Sequence, residues 1–128
     1  IGSPGMNFVN VALRVEGGAC VADAGYFSVP IPAPCDAAWN GRRATLGIRP
    51  EHIATATSNG AHAPVRVRVE LVEPLGATHL VTARAGEHAL AFLTSDGGQI
   101  APHADIDIHL NTNQIKLFDA ETGAGFWI

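Results

Sequence analysis

Basic residues are scarce in this chain. Eight Lys plus Arg, among which Lys116 is the single lysine, stand against twelve Asp plus Glu, for a formal net charge of −4. That is the wrong sign for a phosphate-tracking surface and argues against a nucleic-acid partner. Aromatic residues make up only 6% of the chain, too few for the stacking platform of a single-strand binder. No apolar run reaches the roughly 18 residues of a membrane-spanning helix, so nothing here inserts into a bilayer. Cys20 and Cys35 are the only cysteines and lack a C-x-x-C spacing. A disulfide and two reduced thiols both fit; the chain is long enough to build a core without a staple, which favours reduced thiols. Neither G-x-S-x-G nor G-x-x-x-x-G-K-[ST] occurs, so a nucleophile elbow and a P-loop are both missing. The opening IGSPGMNFVN has no initiator methionine, basic n-region or apolar h-region, and predicts a piece of a longer chain without a signal peptide.

What is present is a series of short alternating runs. The 128 residues are 47% hydrophobic, and Gly 14 and Pro 8 fall between apolar stretches, as an all-β architecture requires. Phe8 to Val15 and Ala19 to Ala22 read as a hairpin around Gly17-Gly18. YFSVPIPAP, with prolines at 30, 32 and 34, reads as an edge strand or extended connector because each proline removes a ladder donor. Asp36 to Arg43 is a polar loop, and Ala44 to Ile48 a strand. In VRVRVEL, Val65, Val67, Val69 and Leu71 are expected on one face and Arg66, Arg68 and Glu70 on the other. Ala77 to Ala85, His88 to Thr94 and DIDIHL continue the pattern, and Gln114 to Phe118 reads as the last strand before the DAETG turn. No segment of ten or more residues carries a 3.6 period, so helices are not expected.

Candidate chemistry is sparse. Six histidines (52, 62, 79, 88, 103 and 109) show no H-x-x-x-H spacing and have no nearby cysteine. Asp105, Asp107 and His109 alternate along one strand and are the best metal candidate, but a polar outer face is the default for such a strand. Arg66, Arg68 and Glu70 read as a solvated face for the same reason. LGIRPEHI, residues 46 to 53, crowds an arginine, a glutamate and a histidine around a proline. Pro50 pushes Arg49 towards extended geometry and suits the first position of a helical turn, and Glu51 suits the positive end of that turn. GIRPEHI is echoed by HLNTNQI at residues 109 to 115, with a strand end, a turn-former and an isoleucine at matching offsets.

Four motifs in order, IGSPGMNF, LGIRPEHI, VELVEPLGATHLV and IKLFDAETG, resemble the C-terminal regulatory region of the ATP-binding subunits of sugar-type ABC importers, the group that includes the maltose and glycerol phosphate transporters. The likeness covers nearly the whole chain. It implies tandem OB-type β lobes (the TOBE module), with a first lobe over residues 1–62 and a second over 63–128, exchange of strands between them being allowed. It also implies that this chain is no enzyme, since ATP and Mg would bind a cassette domain upstream. The implied partners are a second copy in a homodimer, the transporter's membrane subunits through the cassette, and a regulatory protein, all on the cytoplasmic side of the membrane. Ile48, Arg49, Pro50 and Glu51 match the family motif and are expected to define the fold or an interface; Arg49 is available for a buried ion pair whose partner the sequence does not name. Residues 16 to 43 match the family little, and NTNQI replaces its usual proline-glutamate turn. The competing expectation is a sensor that binds a small molecule or oxyanion at a lobe or dimer interface, which needs converging donors.

Overall fold

The computed structural model describes residues 5–32, 35–57 and 60–127. The first hairpin pairs β1 (Asn7–Glu16) with β2 (Ala19–Asp23), and its two-residue turn uses Gly17 and Gly18 at φ 57° and 82°, the left-handed region that suits the twist of paired strands. β3 (Ser28–Ile31) follows as the expected edge strand, burying Val29 and Ile31 while Pro30 points to solvent. The proline at 34 lies outside the described residues. β4 (Arg43–Ile48) returns to pair with β1.

The chain then changes sheet. A single 3-10 turn over Pro50–His52 leads into β5 (Ile53–Ala54), which pairs with β9 (Asp105–Asn111). β6 (His62–Leu75), β7 (Thr78–Ala85) and β8 (His88–Thr94) form a meander, giving a five-stranded sheet of order β5-β9-β6-β7-β8. Another 3-10 turn, over Thr112–Gln114, returns the chain from β9 to β10 (Lys116–Asp119), which pairs with β4. β11 (Gly125–Trp127) completes a six-stranded sheet of order β11-β10-β4-β1-β2-β3. Every pairing among the described strands is antiparallel. The all-β, OB-type architecture is as expected.

One core fills the space between the sheets. Val9, Val11 and Leu13 of β1 and Leu46 and Ile48 of β4 meet Val65, Val67 and Val69 of β6, Phe92 of β8, and Ile108 and Leu110 of β9. The period-2 patterning thus buries one face of each of these five strands. It fails at Leu71, which is 50% exposed. The register between β6 and β7 shifts between Val69 and Leu71, and the extra residue turns Leu71 to the other face. Two further departures are additions: β5 is too short to show a period, and β11 follows the strand expected to be last.

Candidate functional site

The LGIRPEHI stretch forms the first sheet-changing corner. Ile48 is fully buried, and Arg49 is extended at φ −78° and ψ 149° with its side chain exposed. Arg49 is therefore not in the buried ion pair for which it was a candidate. Pro50, buried, occupies the first position of the turn, where its missing N–H costs nothing. The turn closes through the His52 N–H, which donates to the Arg49 carbonyl at 2.9 Å, and Ile53 is buried beyond it. Glu51 is exposed at the mouth of a cavity described below. A Cβ at Gly47 would lie 2.9 Å from the Phe118 ring and 2.5 Å from the Met6 sulfur, so a larger residue there would push both side chains aside.

Asn7, in the motif MNF, clamps this corner to the other sheet. Its Nδ2 donates to the carbonyls of Ile48 at 3.2 Å and Ala91 at 2.8 Å, and its Oδ1 accepts from the Ala91 N–H at 2.8 Å. A buried carboxamide thus acts as a ladder partner for β8 where no strand can. Sequence reading missed it; the available clue is that residue 7 shares the inward parity of Val9, Val11 and Leu13.

Around the same corner lies a cavity of about 190 Å³, lined by Glu51, His52, His62, His109, Asn111 and Asn113 among others. The rings of His62 and His109 meet edge to face with centroids 5.1 Å apart. His52, His62 and His109 each have a shielded Nδ1 without a hydrogen-bond partner. In the neutral ring the proton then belongs on Nε2, since an Nδ1–H would be a buried donor with no acceptor. The cavity is thus lined by imidazole and carboxamide side chains. Among the described residues, no group of three or more His, Cys, Asp and Glu is placed to hold a metal ion. The spacing of residues 52, 62 and 109 gave no hint of this convergence, which depends on β5 pairing with β9 and β9 with β6.

The other candidates are surface ion pairs. Asp105 takes a two-pronged contact from Arg68 at 3.0 Å, Asp107 pairs with Arg66 at 3.3 Å, and Glu70 with Arg84 at 3.1 Å. The hydrogen bond from Arg68 lowers the Asp105 carboxyl below its ordinary range. With both carboxylates so engaged on an exposed face, His109 does not share a ligand set with them. Asp119 is pulled down to about 2, first by the Thr122 N–H, then by the Glu121 N–H and Arg42. Arg42 also lies 3.6 Å over the Phe126 ring, which packs edge to face on Trp39. These contacts hold β11 against the loop before β4.

Comparison with known proteins gives two family matches: the MalK OB fold domain over residues 2–53 and the TOBE domain over residues 46–118. The chain is 36% identical over 126 residues to the sn-glycerol-3-phosphate import ATP-binding protein UgpC of Escherichia coli (strain K12), and 37% identical over 123 residues to that of Salmonella paratyphi A. Each alignment covers 96% of this chain but 33% of the relative, so the chain spans about a third of their length. The matched third is the OB and TOBE region of these ATP-binding proteins, not their catalytic ATPase domain. Among solved structures, the cytoplasmic molybdate-binding protein ModG superposes with a TM-score of 0.64 over 91% of this chain and 96% of its own, at 12% identity, a likeness of fold alone.

Proposed function

The chain belongs to the TOBE domain family, and from that premise we propose that it is the regulatory, dimerising portion of the ATP-binding subunit of an ABC importer for sugars or glycerol phosphate. This is the family to which the four motifs pointed. The observation that carries the reading is the 36% identity, over 96% of the chain, to proteins named as glycerol-3-phosphate import ATP-binding subunits. In the whole protein, ATP and Mg bind a cassette domain outside this chain, the membrane subunits engage that domain, and the assembly works at the cytoplasmic face. A regulatory protein is a further partner. No helix among the described residues is long and apolar enough to cross a membrane.

Sedimentation equilibrium of this chain over a concentration series tests the dimerising role. A dimer that forms without added solute supports it, and a monomer at every concentration overturns it. Mg-ATP turnover by the chain alone is expected to stay at background.

A second reading, a small-molecule sensor, rests on the convergence of three imidazoles, each with a shielded Nδ1 lacking a partner, around the 190 Å³ cavity. Titration calorimetry with glycerol phosphate, maltose and molybdate tests it. Binding that His62→Ala abolishes would favour the sensor, and no heat with any of the three would remove it.

A further inference from the structure

Aromatic residues are scarce in this chain, and the fold gathers them unevenly. Of one tyrosine, two tryptophans and five phenylalanines, both tryptophans and one phenylalanine line a single open cavity of about 400 Å³. Trp39 comes from the loop before β4, and Phe126 and Trp127 come from β11, so two segments far apart in sequence form the walls. Cys35, a free thiol, and Asp36 complete the lining. Each of the three aromatic side chains is half-buried, neither sealed in the core nor fully in solvent. Asp36 is exposed and, among the described residues, it is the one charged residue that lines the cavity and it enters no ion pair. We propose that this cleft binds a small solute that carries a methylated ammonium group and no anionic group.

The walls are held in place by the fold itself. The Asp36 Oδ1 accepts from the Ala38 N–H at 2.9 Å, the Trp39 N–H donates to the Asp36 carbonyl at 2.9 Å, and the Arg42 N–H donates to the Trp39 carbonyl at 2.9 Å. One Asp36 oxygen therefore caps the 3-10 turn over Ala37–Trp39, and the charge of the carboxylate remains available to a ligand. Trp39 packs edge to face on Phe126 with ring centroids 5.3 Å apart. A cation already rests on this cluster, since the Arg42 guanidinium lies 3.6 Å over the Phe126 ring. The Asp119 carboxylate, 3.0 Å from Arg42, answers that charge, so Arg42 does not draw on Asp36. The ring faces of tryptophan attract cations best, and the gain is largest for a cation that sheds water easily. A methylated ammonium does so, whereas a primary ammonium is strongly hydrated. A cavity of this size, mostly aromatic with a single polar group, has the make-up of a small-molecule site. No basic side chain lines it among the described residues, so an anion would meet Asp36 unopposed. The inference is independent of the transporter reading and of the histidine cavity.

Because both tryptophans line the cleft, intrinsic fluorescence reports on it directly. The folded chain is titrated with tetramethylammonium chloride, choline chloride, phosphocholine and the neutral carbon isostere of choline, with potassium chloride holding the ionic strength constant. A saturable change is expected with tetramethylammonium and choline. The neutral isostere should bind about tenfold more weakly, because only a cation gains from the ring faces. Phosphocholine should also bind more weakly than choline, since its phosphate faces Asp36. Asp36→Asn keeps a good capping residue and should weaken choline binding roughly two- to fivefold, the worth of a solvent-exposed charge pair. Trp127→Leu should abolish saturation while Trp39 still reports, with a melting curve to show that the variant is folded. No saturable change with either cation, an isostere or phosphocholine that binds as tightly as choline, or unaltered choline binding in Asp36→Asn would each overturn the proposal. The ligand comparison on the wild-type chain decides even if a variant fails to fold.

Discussion

At the first change of sheet, Ile48, Pro50 and Ile53 are buried around the 3-10 turn that carries the chain from β4 to β5. At the second, Leu110, Thr112 and Ile115 are buried around the turn that carries it from β9 to β10. Each corner delivers its outgoing residues onto the strand that leads into the other: Ile53 faces Leu110, and Lys116 faces Gly47. The echo between GIRPEHI and HLNTNQI is the trace of this exchange, since the matching offsets are the buried ones. The polar offsets differ because the turns begin differently. Pro50 presets the first turn without a side-chain cap on Arg49. In the second, the Asn111 Oδ1 accepts from the Asn113 N–H at 3.1 Å, and the Thr112 N–H donates to the Ala61 carbonyl at 3.2 Å. A proline at 112 would delete that bond, which gives NTNQI a physical reason to depart from the proline-glutamate form. The same core therefore fixes three buried offsets at both corners, two of them apolar at each, and leaves the start of each turn to local chemistry.

The strongest way to break this equivalence is to empty its buried positions. Ile53→Ala and Ile115→Ala should each cost about 2–5 kcal/mol, the range for large-to-small changes in a close-packed core. The two losses, measured by urea denaturation, should agree to within about 1 kcal/mol if both corners seal the same core. A large loss at one position with none at the other would show that only one corner closes the structure.

Asn7 is the sharper probe, because its clamp serves only the first corner. Asn7→Ala removes its three side-chain hydrogen bonds, one to the Ile48 carbonyl and two to the backbone groups of Ala91. We expect a loss of about 2–3 kcal/mol, set by the desolvation of buried groups left unpaired. Hydrogen exchange should place the change locally, with the Ala91 amide losing protection while amides near the second corner keep theirs. Uniform loss of protection across both corners would mean that Asn7 supports the fold at large.

The strands were legible wherever apolar and polar residues alternate over several positions, as in VRVRV and DIDIHL. They were illegible where an event of one residue decides the outcome. The bulge beside Glu70 sends Leu71 outward although its parity points inward. β11 has only three residues, and its place depends on Asp119 organising the turn before it through the Glu121 and Thr122 N–H groups. The histidine cavity was hidden for a different reason. Residues 52, 62 and 109 meet through the register of three strands, and register between distant segments is not written in any local window. By contrast, the corner at Pro50 was readable because proline and the residue before it are each restricted by sterics that act within a dipeptide.

The smallest effects separate the two turn starts themselves. Asn111→Ala deletes an exposed side-chain cap and should cost about 1 kcal/mol, near the middle of the range for cap removal. Arg49→Ala, at the equivalent offset, removes a solvent-exposed side chain that makes no cap bond, and should change stability by no more than about 0.5 kcal/mol. Paired denaturation curves distinguish the cases, since only Asn111→Ala should shift the midpoint clearly while both keep the wild-type slope. A loss at Arg49 as large as that at Asn111 would mean that its guanidinium has a structural role at the first corner that Pro50 does not replace. If Arg49→Ala instead leaves stability unchanged but weakens self-association in sedimentation equilibrium, the arginine serves the interface between copies, and the two corners differ in function while sharing a fold.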